Sequence, residues 1–138
     1  MSQLDANLTN PDAGAGQRYL TLVFTNHSTS PCTMLGYIGI QLVGMSGTLP
    51  TSVVRNTSSS TPKVLITIAP GSQAFTTLHW TAIPAPDEPQ NTQCEPTPQQ
   101  VRITPPNEMN FLLESWTFGE VCAHGTIDTN PMKLGSGM

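Results

Sequence analysis

Apolar and polar residues alternate along most of this chain in short runs, with a period of two. From Arg18 to Asn26, Leu20, Leu22 and Phe24 fall on one face and Thr21 and Thr25 on the other, which predicts a strand with one buried side. Tyr37 to Val43 repeats the pattern with Ile38, Ile40 and Leu42, Lys63 to Ile68 with Val64, Ile66 and Ile68, and Ala74 to Thr81 with Leu78 and Trp80. Gln99 to Thr104 turns Val101 and Ile103 inward, Phe111 to Phe118 returns beside it, and His124 to Thr129 is a short last strand. Ser52 to Arg55 reads as a short edge strand and Asp5 to Leu8 as a weak first one. The best helical stretch, Leu112 to Trp116, is short and runs into Thr117-Phe118-Gly119.

The breakers fall between these runs. Asn26 to Pro31, Ala69-Pro70-Gly71-Ser72 and Pro105 to Asn110 read as turns, and Asn56 to Pro62 as a polar loop. Ile83 to Pro98 is a long loop with five prolines, which supply no ladder donor and keep it out of a central strand. Many short strands at regular turn spacing predict an all-β antiparallel sandwich or barrel of about seven to nine strands. No repeat or interior linker divides the chain, so residues 1–138 are expected to form one domain, with its core over about 4–130 and a loose tail at Gly135 to Met138.

Composition narrows the setting. Only 10% of the 138 residues are charged, and Thr, Ser, Asn, Gln, Pro and Gly stand in their place. Disorder normally combines low hydrophobicity with high net charge, whereas this chain is 37% hydrophobic with a net charge of −4. Five basic residues, Arg18, Arg55, Arg102, Lys63 and Lys133, are scattered among nine acidic ones, which argues against nucleic acid as a partner. No run of about 18 apolar residues exists, so no transmembrane segment is expected. Nor does a leader precede the domain-like sequence after Met1-Ser2; an exported chain would have lost it upstream.

Cys32, Cys94 and Cys122 fit no zinc spacing, which makes a disulfide the better use. Cys94 and Cys122 have their midpoint at residue 108, inside the Pro105–Asn110 turn. A hairpin of Gln99–Thr104 with Phe111–Phe118 would carry both thiols to one end of the domain. Closing that loop of about 29 residues is worth about 3.6 kcal/mol in the chain-entropy model. Cys32 is left over, as a buried free thiol, a partner for a cysteine upstream of Met1, or an intermolecular crosslink.

An ordered set of segments carries a family resemblance: Leu4-Asp5-Ala6-Asn7-Leu8, Asp12 to Tyr19, Leu22 to Asn26, Pro31-Cys32-Thr33 with Gly36 to Ile40, Ile68 to Gly71, Val101 to Pro106, and Val121-Cys122. Together they resemble the domain of unknown function common in secreted proteins and lipoproteins of actinobacteria. The resemblance covers residues 4 to about 130. It implies an immunoglobulin-like sandwich, export, and often a lipid anchor on an upstream cysteine. Members often carry a further cysteine before the first strand that would pair with Cys32, and this chain lacks it. The family brings no established activity, so no functional residue is carried over.

Chemistry-bearing residues are sparse. His27, His79 and His124 are far apart, and no G-x-S-x-G elbow or comparable nucleophile motif is present. His124 and Asp128 lie four apart, which on a strand separates them by about 13 Å. Met34, Met45, Met109, Met132 and Cys32 offer soft ligands but form no M-x-M or H-x-M group, so neither metal nor cofactor is expected. Trp80 and Trp116 sit in alternating strands and read as core rather than as sugar platforms. Sequons begin at Asn7, Asn26 and Asn56, as chance allows in a chain so rich in Thr and Ser. The proline-rich loop, with Pro86, Asp87, Glu88 and Glu95, is the best candidate for a recognition surface, the competing reading being a tethered connector pinned by Cys94 with no partner. The expectation is a non-catalytic extracytoplasmic cell-envelope module that binds a protein or envelope component through its end loops. The competing readings are a structural spacer in a larger exported lipoprotein and a periplasmic-type carrier of a metal or small ligand.

Overall fold

The computed structural model describes residues 3–57 and 62–137. The middle of the expected Asn56–Pro62 loop and Met138 of the tail lie outside the described residues. The strands are β1 (Leu4–Gly14), β2 (Gln17–Asn26), β3 (Cys32–Leu35), β4 (Gly39–Gly44), β5 (Gly47–Thr48), β6 (Ser52–Arg55), β7 (Leu65–Ile68), β8 (Gln73–Thr81), β9 (Gln100–Thr104), β10 (Leu112–Ser115), β11 (Thr126–Thr129) and β12 (Lys133–Leu134), with one irregular turn, α1 (Cys122–Gly125), before β11. One sheet runs β1-β2-β8-β11-β6, with β12 also on β8; a second runs β10-β9-β4-β5; β3 and β7 form a two-stranded ribbon.

The sheets pack face to face as the expected sandwich. Alternation places Leu20, Leu22 and Phe24 of β2, Leu78 and Trp80 of β8 and Ile127 of β11 inward, where they share one core with Ile40 and Leu42 of β4 and Val101 and Ile103 of β9. Trp80 and Trp116 are both buried, with ring centroids 4.9 Å apart. Two polar side chains in this core are satisfied internally. Thr76 donates to Asn130 O at 2.7 Å. Asn26 donates to Ser30 O and Ile68 O at 2.8 and 2.9 Å and accepts from the Ser28 N–H and hydroxyl. The sequon at Asn26 is therefore closed to modification, its side chain being both buried and fully bonded.

The structure departs from expectation in five places. β1 is far longer than Asp5–Leu8, because it pairs along the whole of β2 and folds back at Ala15-Gly16, both at positive φ (52° and 82°), as a tight primed hairpin turn requires. Its proline is accommodated at a register shift between Thr9 and Asp12 on this edge strand. The expected Phe111–Phe118 strand forms beside β9 in antiparallel register but covers only Leu112–Ser115. Val64 is 49% exposed, because it lies beyond the ribbon's last pair, Leu35 with Leu65. β3, unmarked by alternation, forms opposite β7. Finally, β6 is an edge strand as expected, but it runs parallel to β11, so the main sheet is mixed.

Candidate functional site

The chain between β8 and β9, residues 82–99, crosses one end of the sandwich without regular structure. Its prolines prevent ladder pairing, so side chains organise it instead. Ala85 N donates to Glu88 Oε1 at 2.7 Å, while Glu88 N donates back to Ala85 O, turning the chain at Pro86-Asp87. Gln90 Nε2 donates to Ala85 O and Glu88 O, and Gln93 Nε2 to Glu95 O and Thr97 Oγ1. Cys94 is bonded to Cys122, as the spacing predicts, with Cα atoms 5.6 Å apart. The β9–β10 register is centred between Asn107 and Glu108, within one residue of the cysteines' midpoint.

Opposite the loop, α1 is not a true helical turn. Ala123, His124 and Gly125 all have positive φ (52°, 60° and 75°). Successive residues of this kind aim their N–H groups into one concavity, an arrangement that holds anions. The carboxylate of Glu88 fills it: Ala123 N donates to Oε1 at 2.8 Å and His124 N to Oε2 at 2.9 Å. Glu88 is accordingly an internal clamp, with only 2% of its side chain exposed, and not a presented recognition residue. Asp87 stays outside and meets His124 Nε2 at 2.8 Å, and Pro86 is exposed beside it. Glu95 is largely covered, 3.8 Å from His124 Nδ1.

The electrostatics follow from this packing. Burial alone pushes the Glu88 carboxyl up, but the hydrogen bond from Glu95 and the N–H groups of Ala85, His124 and Ala123 outweigh it and hold the group at about 2. Glu95 is pushed above the usual carboxylate range, first by its hydrogen bond to Glu88, then by burial and the Glu88 charge, with His124 opposing. The two therefore pull stability in opposite directions. Glu88, depressed on folding, contributes above its unfolded value near 4.5 and loses that contribution as pH falls toward 2. Glu95, raised on folding, contributes below 4.5 and loses that as pH rises through its elevated folded value. Glu95→Gln keeps a donor for Glu88 but has no proton to lose. Thermal melts should show the variant level with wild type near pH 4 and more stable by about 3 °C at pH 7. Parallel curves across that range would refute the shared-proton arrangement.

Glu88, Glu95 and His124 bring three ligand-type atoms within 4.8 Å of one another. A cation would find Glu88 already accepting from three N–H donors, so this donor set closes the loop rather than opening a metal seat. The soft ligands stay dispersed: Met34 and Met132 are core, whereas Met45 and Met109 stand alone on the surface.

His124 and Asp128, four apart in the chain, have separate partners. Asp128 meets His79 Nδ1 at 2.7 Å across the β8–β11 pair, while His79 Nε2 meets Gln17 Oε1 at 2.7 Å. Tyr19 stacks on that imidazole at 4.8 Å. His27 sits 3.7 Å from Asp5. Cys32 is an unbonded, half-buried thiol in a depression shared with Gln3, Leu4, Pro106 and Glu108; burial, then the Glu108 charge, pushes its pKa up and keeps it a poor nucleophile.

The molecule is thus a β-sandwich domain with a disulfide-clamped loop across one end. It belongs to the family described as "Domain of unknown function (DUF4232)", whose model matches residues 1–133. No curated protein and no solved structure shows significant similarity to it.

Proposed function

We propose that this domain is a non-catalytic extracytoplasmic module of the cell envelope that binds a protein or envelope component through the loop of residues 82–99. The observation that carries the reading is the double restraint on that loop. The Cys94–Cys122 bond and the Glu88 clamp hold it, yet Pro86, Asp87, Pro89, Gln90 and Asn91 remain exposed. A loop ordered before binding loses less conformational entropy when a partner arrives, which favours recognition from a rigid scaffold. The disulfide suits an oxidising compartment. Secreted proteins and lipoproteins of actinobacteria are the setting the family resemblance suggests. The non-catalytic part rests on the histidines: among the described residues, the side chains hydrogen-bonded to the rings of His79 and His124 are carboxylates and an amide, and no hydroxyl or thiol is bonded to either ring.

The test immobilises the whole chain and applies a detergent extract of the native envelope. A component retained by wild type should be lost from the Asp87→Ala/Pro89→Ala double variant, whose melting temperature and disulfide should be unchanged. Equal retention by both proteins would remove the loop from the function. Protease protection of the native protein in intact spheroplasts would refute the extracytoplasmic address.

A further inference from the structure

The acidic residues of this chain are unevenly placed. None lies between Asp12 and Asp87, a stretch that holds Arg18, Arg55 and Lys63. Two of these cations meet at the open end of the β3–β7 ribbon. A concavity of about 200 Å³ there is lined by Leu35, Gly36, Tyr37, Arg55, Lys63 and Asn107, with no carboxylate. Both cations are held by packing. The Arg55 guanidinium lies over the Tyr37 ring, 5.4 Å from its centroid, and Tyr37 is itself fixed by donating through Oη to Asn56 O at 2.6 Å. The Lys63 stem crosses Gly36, where an added Cβ would lie 3.1 Å from Lys63 Cδ. Every ion pair among the described residues is made by a histidine, so neither cation is neutralised within the chain. Glu108, next to Asn107, lines the separate depression around Cys32, and Asp128 is bonded to His79 and Asn56.

Apolar side chains border these charges. Leu35, 37% exposed, lines the concavity and pairs across the ribbon with Leu65, which is 66% exposed. Val64, between Leu65 and Lys63, is 49% exposed. The inward positions of the ribbon, Met34, Ile66 and Ile68, already supply the core, so folding does not need this outward group. Aliphatic side chains beside cations suit an anionic bilayer. The apolar groups enter the boundary between headgroups and acyl chains, while Lys and Arg stems lie along it and carry their charges to the lipid phosphates.

We propose that this face docks reversibly on an anionic phospholipid surface. Charge complementarity selects that occupant. A second copy docking through the same face would set Arg55 and Lys63 near their own images. A stable protein interface takes about 800 Å² from each partner with matched shape. Three aliphatic side chains at a strand end offer far less, but a fluid lipid surface adapts to them. No residue of the 82–99 loop lines the concavity, so the inference stands apart from the reading of that loop.

The test mixes the ¹⁵N-labelled whole protein with nanodiscs of phosphatidylglycerol and phosphatidylcholine that carry a trace of lipid with a gadolinium-chelating headgroup. Amide broadening should centre on Leu35, Gly36, Arg55 and Lys63 to Leu65 and spare residues 82–99. It should vanish with discs of phosphatidylcholine alone and at about 0.5 M NaCl. In vesicle co-sedimentation, Lys63→Gln should weaken binding about fivefold and Arg55→Gln/Lys63→Gln about 25-fold. Leu65→Ser, at an exposed position, should weaken it at least about threefold with the melting temperature unchanged. No broadening, broadening centred elsewhere, or equal broadening by neutral and anionic discs would overturn the proposal. So would glycerol 3-phosphate reproducing the effect of the anionic discs, which would reduce the face to a small-anion pocket. Self-association that the same variants abolish, without lipid binding, would give the face to a second copy instead.

Discussion

Gly125→Ala is expected to be the most damaging single-methyl change in the molecule, costing about 4 kcal/mol or more and lowering the melting temperature by at least about 12 °C. Two terms add. Gly125 sits at φ +75°, where a Cβ is strained by about 1–2 kcal/mol. A methyl there would also lie 1.9 Å from the carbonyl oxygen of Pro50 and 3.2 Å from the Cα of Thr51. That neighbour is backbone, so no rotamer relieves the overlap. Pro50 and Thr51 lead directly into β6, which pairs in parallel with β11 from Ser52 opposite Thr126 onward. Making room for the methyl therefore means sliding an edge strand off its register. Gly71→Ala is the control: its φ is +81°, but nothing lies within 4 Å of the added carbon, so it should cost only the strain, about 1 kcal/mol. Equal costs at the two positions, measured by denaturant titration, would show that the close approach to Pro50 is not rigid.

This glycine also marks where the sequence stops being readable. The strands that alternate cleanly and pair in the sheet interiors, β2, β4, β8 and β9, were legible because each buries one face and exposes the other. β3 carries no such signal: four residues, Cys-Thr-Met-Leu, bury one large side chain, Met34. β1 hid its length because its outer half is polar and contains a proline; what makes it a strand is the ladder offered by β2, a tertiary effect. The same holds for the site. The disulfide was legible because two cysteines placed symmetrically about a turn must meet if the hairpin forms. The Glu88 clamp was not, because it joins residues 35 and 36 apart in the chain, and an acidic residue beside a proline in a loop looks like any solvated carboxylate. His79 and Asp128 meet because β8 and β11 are neighbours, which no local pattern encodes. Alternation likewise shows that Trp80 goes inward, but not whether its indole N–H, which has no partner among the described residues, finds an acceptor there.

Removing the disulfide is expected to destabilise the domain by about 3.6 kcal/mol and to lower its melting temperature by about 10 °C, because the bond closes a loop of about 29 residues that the unfolded chain would otherwise leave open. The suitable variant is Cys94→Ala/Cys122→Ala. Both cysteines are buried, at 5% and 0% exposure, so alanines avoid placing two polar groups in their place. The loss should be local as well as global. Without the bond, residues 82–99 remain attached to the turn at Ala123 and His124 chiefly through the buried Glu88 carboxylate, with the exposed Asp87–His124 pair beside it, and these must then order a loop no longer pinned at Cys94. Hydrogen exchange should therefore accelerate first at Glu88, Ala123 and His124, whose amides lie at this junction, while the β2–β8 ladder keeps its protection up to global unfolding. Adding Glu88→Gln to the disulfide-free background should cost more than the same change in the intact protein, since bond and carboxylate restrain the same segment and their effects should not simply add. Additive losses in that double cycle would mean that the two clamps act on separate parts of the loop, and the case for a jointly ordered binding surface would fall with them.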